Sequence, residues 1–261
     1  MVYDAVTNPG GPGDRTVLLI ADDLGLNSGI NEAVLRAHHE GGLHAASLML
    51  GQPASAAAVV MARESASLQV GWHVHVCDSQ PLTCPAWPWG RSAFRAGLAL
   101  TGWPAARRLV REELRGQWAA FCATGLPCRF INGHHHLHVH PVVLSELERL
   151  LPPGPRPWLR GFAIRRFAAR RGSGGRIEHW VSPWVSRRLR RRGGWRLSDS
   201  LWGLDRLGAM NSREVRAVVP GLPGGLHEFL FHPRTADPGA DADFAALIGL
   251  VDLRSARGDL D

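Results

Sequence analysis

Short apolar runs alternate with longer amphipathic stretches along most of the chain. Residues 16–21 (TVLLIA) are uninterrupted by polar positions and bounded by charge, the pattern of a parallel strand buried on both faces. A helix is predicted from about Gly29 to the pair Gly41-Gly42, with Asn27 or Ser28 placed to cap it. Residues 45–50 (AASLML) repeat the strand pattern, and 54–63 repeat the helical one. In residues 69–76 (QVGWHVHV), Val70, Trp72, Val74 and Val76 alternate with Gly71, His73 and His75, so both histidines occupy one face of a strand. Residues 77–104, rich in Pro, Trp and Gly, read as an irregular loop with tryptophans available for a sugar ring or for packing. A helix over 105–123 follows, with Leu109, Leu114, Trp118 and Phe121 on one side. Residues 130–141 (FINGHHHLHVHP) come next; if extended, they present His134, His136, His138 and His140 on one face and His135 on the other. A helix over 142–151, a last strand over 226–233 (LHEFLFHP) and a short helix over 243–253 complete the pattern. Strand alternating with helix favours a parallel sheet or barrel.

Composition narrows this picture. A chain of 261 residues suits one large α/β domain or two small ones. Neither a repeat nor a linker is visible, which favours a single domain over 16–261 behind a flexible leader, residues 1–15. The absence of any run of about 18 apolar residues excludes a transmembrane helix. The N-terminus has no signal-peptide pattern, so a cytoplasmic protein is expected. Cys77, Cys84, Cys122 and Cys128 form no CxxC motif and read as free thiols. All 30 basic residues are arginine, which excludes a Schiff-base lysine, a P-loop lysine and a lysine base. Thirteen of them lie between Arg156 and Arg196 beside one acid, Glu178. This lobe, about 155–196, reads first as a solvated helix face, and it could also attract phosphates or an anionic membrane surface.

The candidate chemistry sits at the ends of the strands. Asp22 and Asp23 close the first, where α/β folds place their reactive groups. A turn with a helix cap would also explain them. His73, His134 with its neighbours, and His232 close three others. One carboxylate with two neutral imidazoles is a ligand set for a divalent transition metal that leaves a position for water. A second aspartate could then take a proton and a distant histidine give one. Glu228 in the last strand and Asp199 in an apolar context (LSDSLWGL) are further candidates.

Four ordered motifs, ADDLGLNSGINEAV, VGWHVHV, INGHHHLHVHP and LHEFLFHP, resemble those of the YdjC-like carbohydrate deacetylases, over about residues 16–235. Within that family, AHHEGGLHAASLMLGQPA, QWAAFCATGL and WGLDRLGAMNS are similar to the branch associated with hopanoid biosynthesis. The resemblance implies an α/β fold, a distorted (β/α) barrel of about seven parallel strands like that of polysaccharide deacetylases. It implies a divalent metal on Asp23, His73 and His134, zinc first, with nickel, cobalt, manganese or magnesium as alternatives. Asp22 would be the base and His232 the acid, with His136 and His138 contacting substrate or the ligands. The family commonly has Asp-Ser where this chain has Asn132-Gly133, and Arg-x-Pro-x-Glu where it keeps only Arg160. The implied activity is removal of the acetyl group from an N-acetylated sugar or glycolipid, such as an N-acetylglucosaminyl hopanoid, by a cytoplasmic enzyme, with peripheral contact at the inner face of a membrane as a further expectation. Two other readings stand beside it: a non-catalytic metal protein that binds anionic lipid or nucleic acid through the basic lobe, and a metal hydrolase of another bond, such as a phosphodiester. Under the deacetylase reading no nucleic acid partner is expected, and a homo-oligomer is left open.

Overall fold

A computed structural model describes residues 15–151, 156–167, 176–192 and 194–255, with the side chains of 176–179, 254 and 255 outside that description. Apart from Arg15, the expected leader falls outside the described residues. Seven strands, β1 (Arg15–Leu24), β2 (Ala45–Leu48), β3 (Gln69–Val74), β4 (Phe130–Gly133), β5 (Trp158–Leu159), β6 (Ser200–Trp202) and β7 (Gly225–Phe231), form one sheet in the order β5-β4-β3-β2-β1-β7-β6. Every pairing is parallel. Isolated parallel bridges join Leu159 to Leu197 and Ile164 to Leu201, so the two edges curl toward each other. The result is the distorted α/β barrel expected from the sequence.

The helices are α1 (Ser28–Glu40), α2 (Ser55–Glu64), α3 (Ala93–Gly102), α4 (Pro104–Ala123), α5 (Pro141–Leu150), α6 (Arg176–Arg192), α7 (Ser212–Val218), α8 (Ala242–Ile248) and α9 (Val251–Ser255). Asn27 caps α1 by accepting from the Ile30 N–H at 3.0 Å. Ile30, Ala33, Val34 and Ala37 of α1, and Val110, Leu114 and Phe121 of α4, are buried in the main apolar cluster. That cluster includes Leu19, Ala21 and Phe229, the strand residues of one parity.

Residues of the other parity fill the barrel. Leu18, Ile20, Ala45, Phe130, Trp158 and Leu226 form a separate buried cluster, with the Phe130 and Trp158 rings stacked at 4.8 Å. Gly71 faces the same space: a Cβ there would meet the Phe130 ring at 2.5 Å, so only glycine lets that ring fill the interior. Two residues further along each strand, the same inward face carries Asp22, Ser47, His73, Asn132, Arg160 and Glu228, all buried. An apolar plug thus ends in a polar layer.

Three expectations are corrected. The histidine segment is strand only to Gly133; His134–Val139 form a 3-10 turn in which His135 (φ 51°) and His136 (φ 58°) are left-handed, so the four histidines share no extended face. Residues 77–104 are not wholly irregular, since α3 lies within them. The Trp87 and Trp89 rings stack on each other at 5.5 Å and are buried, which makes them packing residues. The last helix is broken into α8 and α9.

Candidate metal centre

The register of β1 and β2 runs Ala21 with Ala46 and then Leu24 with Leu48, so Asp22 and Asp23 together oppose Ser47 alone. This is a bulge, with Asp23 left-handed at φ 66°. Consecutive residues of a regular strand point to opposite faces; the bulge lets both aspartates serve one site.

Asp23 Oδ1 lies 3.2 Å from His73 Nε2 and 2.9 Å from His134 Nδ1. These three side chains bring their ligand atoms within 4.8 Å of one another. The hydrogen bonds around His73 decide its tautomer. Asp22 Oδ1 accepts from the Ser47 hydroxyl at 2.8 Å and from Asn132 Nδ2 at 2.8 Å, which turns Ser47 Oγ and Asn132 Oδ1 into acceptors. Both face His73 Nδ1, at 3.0 and 2.7 Å, so that nitrogen carries the proton. Nε2 then presents a lone pair, buried without a hydrogen-bond partner, toward a carboxylate oxygen. Two electron-rich atoms face each other there, an arrangement that a cation between them resolves.

The electrostatics agree. Burial would lower the His73 pKa, but the carboxylates of Asp22 and Asp23 outweigh it and raise the pKa above the ordinary value. Burial would raise Asp23, yet the hydrogen bonds of His134 and His73 hold it well below the carboxylate range. Positive charge is therefore favoured at this point. The donor set, one carboxylate oxygen and two imidazole nitrogens, suits a divalent transition metal.

Asp22 is fastened differently. Arg160 Nη1 donates to its Oδ2 at 2.6 Å and Nη2 to its Oδ1 at 3.0 Å. Burial pushes the Asp22 pKa up, and the Arg160 charge more than reverses this, leaving the carboxyl well below its usual range. Arg160 Nε donates at 2.8 Å to Glu228 Oε2. Burial nevertheless outweighs that partner and raises Glu228. The main chain of Arg160 is clamped as well: its N–H donates to Ile131 O at 2.9 Å and its carbonyl lies 3.2 Å from His138 Nε2. His138 is fully buried, and burial lowers its pKa to about 3, so it is a neutral prop for Arg160. Gly133 makes room for this turn, because a Cβ there would meet His138 Cβ and N at 3.0 Å.

His232 follows β7. Its N–H donates to Asp243 Oδ2 at 2.7 Å, and its Nδ1 is buried without a partner. Its electrostatic coupling to Asp22 and His136 places it on their side of the site. The His136 ring packs edge-on against Phe162 at 5.8 Å, and burial holds its pKa well below the imidazole value.

The structure therefore brings Asp22, Asp23, His73, Asn132, His134, His136, Arg160, Glu228 and His232 together. It leaves Asp199 out: that carboxylate accepts from Leu226 N at 3.0 Å, at the start of β7 and the far end of the barrel. His75 Nε2 donates to Leu50 O at 3.0 Å, its Nδ1 lies 2.9 Å from Ser79 Oγ, and the residue is buried. His140 caps α5. Sequence reasoning missed three residues. Ser47 was marked only by being polar within an apolar strand. Asp243 holds the main chain of His232. Asp78 lies 3.2 Å from His135 Nε2 and, with His134 and His135, forms a second group of ligand type that shares His134 with the first. Arg91 pairs with that Asp78 carboxylate. No helix among the described residues is long and apolar enough to cross a membrane.

Comparison with known proteins follows the same lines. The sequence pattern of the family described as YdjC-like protein matches residues 16–252. The chain is 33% identical over 158 residues to a carbohydrate deacetylase of Brevibacillus brevis, covering 58% of this chain and 62% of that one. It is 35% identical over 138 residues to a carbohydrate deacetylase of Geobacillus stearothermophilus, covering 52% and 56%. These matches span little more than half the length of the relatives. A provisionally assigned cellobiose-phosphate cleavage protein of Enterococcus faecalis V583 superposes with a TM-score of 0.63 over 93% of this chain and 94% of that one, at 17% identity, and so shares the fold.

Proposed function

Because the chain belongs to the YdjC-like proteins, we propose that it is a metal-dependent N-deacetylase, hydrolysing the acetamide of an N-acetylated amino sugar to a free amine and acetate. The observation that carries this reading is the convergence of Asp23, His73 and His134, of which His73 is fully buried with its tautomer set for ligation. The similarity to carbohydrate deacetylases supports the substrate class. A divalent cation held by these three residues would supply Lewis acidity to the amide carbonyl and to the attacking water. Zinc suits the donor set first, with nickel, cobalt, manganese or magnesium as alternatives.

Asp22 is the base in this proposal. Its Oδ1 accepts three hydrogen bonds and its Oδ2 one, so one lone pair on Oδ2 is left for a proton. Held so far below the carboxylate range, it takes a proton only from a donor more acidic than bulk water. His232 gives a proton to the departing nitrogen as the carbon–nitrogen bond breaks. Arg160 positions Asp22, and Glu228 holds Arg160. The motifs similar to the hopanoid-associated branch support a finer substrate, an N-acetylglucosaminyl hopanoid.

The test is to strip the purified protein with a chelator, reload it with one divalent metal at a time, and assay free amine from a panel of N-acetylated sugars and glycolipids. Wild type is expected to release amine only when loaded, and Asp23→Ala to lose metal together with at least about 100-fold in rate. An Asp23→Ala protein with full metal content and full activity would overturn the assignment, as would a loaded wild type that releases no amine from any member of the panel.

A further inference from the structure

We propose that the outward face of α6 is a docking surface for an anionic lipid bilayer. At 3.6 residues per turn, Trp180, Trp184, Arg187, Arg188 and Arg191 fall in one stripe about 100° wide. Trp180 is 83% exposed and Trp184 64%, and the three arginines are exposed beside them. The opposite side of the helix is the one packed on the body: Leu189 is buried, and Val181 and Val185 lie against the main apolar cluster. Ser182 Oγ accepts from Ile164 N at 2.9 Å and donates to the carbonyl of Phe162, the residue whose ring packs on His136. The helix is thus anchored by its apolar side to the chain segment that follows Arg160, and it holds the tryptophan-arginine stripe away from the body.

Charge complementarity selects the occupant. Arg190 and Arg192, at the flanks, pair with Asp199 and Glu148. Among the described residues, no carboxylate pairs with Arg187, Arg188 or Arg191. Arg188 lies over the Trp184 ring at 5.6 Å, and Trp184, Arg187, Arg188 and Arg191 are the described residues that line an open depression of about 490 Å³. Three guanidinium groups around such a space suit one phosphate headgroup. Indoles sit at the membrane interface, where an apolar ring and a polar N–H are both accommodated. A nucleic acid strand needs a groove that tracks its backbone, whereas Arg187, Arg188 and Arg191 form a short stripe on one helix face.

The experiment uses the full chain and no sugar substrate, so it stands apart from the deacetylase reading. Sedimentation is measured with vesicles of pure phosphatidylcholine and of phosphatidylcholine with phosphatidylglycerol. Binding is expected only to the anionic vesicles, falling as salt is raised. The triple variant Arg187→Gln, Arg188→Gln, Arg191→Gln is expected to lower the partition coefficient about 100-fold, from about 1 kcal/mol per basic residue. The variant Trp180→Ser, Trp184→Ser is expected to lower it about tenfold, as buried ring area is lost. Both variants should melt at the wild-type temperature, because the replaced groups are exposed. Three results would overturn the proposal: wild type left in the supernatant with anionic vesicles at low salt, unchanged binding in both variants, or tighter binding to a single-stranded oligonucleotide than to vesicles.

Discussion

Arg160 and the arginines of α6 are the same residue in opposite circumstances, and the contrast shows what this chain uses charge for. Arg160 is fully buried, spends its donors on Asp22 and Glu228, and has its pKa raised, since those carboxylates outweigh the desolvation that would lower it. Arg187, Arg188 and Arg191 are exposed and stand beside tryptophans. The first is part of a closed network whose members depend on one another. The second is an open array, each member of which can be lost without stranding a partner.

The sharpest way to break that contrast is Arg160→Met. It leaves Asp22 and Glu228 buried without their common partner, and removing one side of such a pair costs about 3–5 kcal/mol. Arg191→Met should change stability by no more than about 0.5 kcal/mol. Urea unfolding of the two variants side by side measures the difference. Equal losses would mean that the buried network is no more interdependent than the surface.

A smaller effect is expected within the network, at a group that carries no charge. Asn132 donates to Asp22 and accepts from His73, so its amide, alongside the Ser47 hydroxyl, sets the direction of the hydrogen bonds between the base and the proposed ligand. Asn132→Ala should weaken divalent metal affinity by about 10- to 100-fold, the usual cost of losing the partner that orients a ligand histidine. Competition with a chromophoric chelator reads this directly. Unchanged affinity would show that Ser47 alone fixes the His73 tautomer.

How far the sequence made these two regions legible follows from what each depends on. The run that became β1 was readable because a strand buried on both faces is nearly continuous in apolar residues, and β3 because its apolar residues alternate with Gly71 and His73. Asp22, Asp23, His73 and His134 were readable because they stand where such runs stop. The bulge that lets Asp22 and Asp23 share a site was not, since nothing local in ADDLG distinguishes it from a regular strand end. The histidine segment misled for a related reason. Period-two reading needs apolar positions to alternate with polar ones, and HHH supplies none; the turn is settled by tertiary contacts such as that of His138 Nε2 with the Arg160 carbonyl. The helix α3 was hidden by its Pro- and Trp-rich approach. The partnership of Arg160 with Asp22 joins residues 138 apart, beyond any local pattern.

The last prediction separates the two regions by pH. Arginine does not titrate in the accessible range, so the α6 stripe contributes no slope to stability between pH 4 and 8. His138 does contribute. Burial lowers its folded pKa to about 3, and its ordinary value is 6.5. Between those values the unfolded chain binds the proton and the folded chain does not, so stability is fully present above about pH 6.5 and falls as pH drops toward 3. From pH 7 to pH 5 this single group should remove about 1–2 kcal/mol, read as a lower urea midpoint. His138→Gln keeps a donor for the Arg160 carbonyl but has no proton to gain. It should start from a lower stability at pH 7 and lose less than wild type on acidification. If the variant and wild type lose the same amount, His138 is not the neutral prop that its burial makes it, and the clamp on Arg160 must come from Ile131 alone.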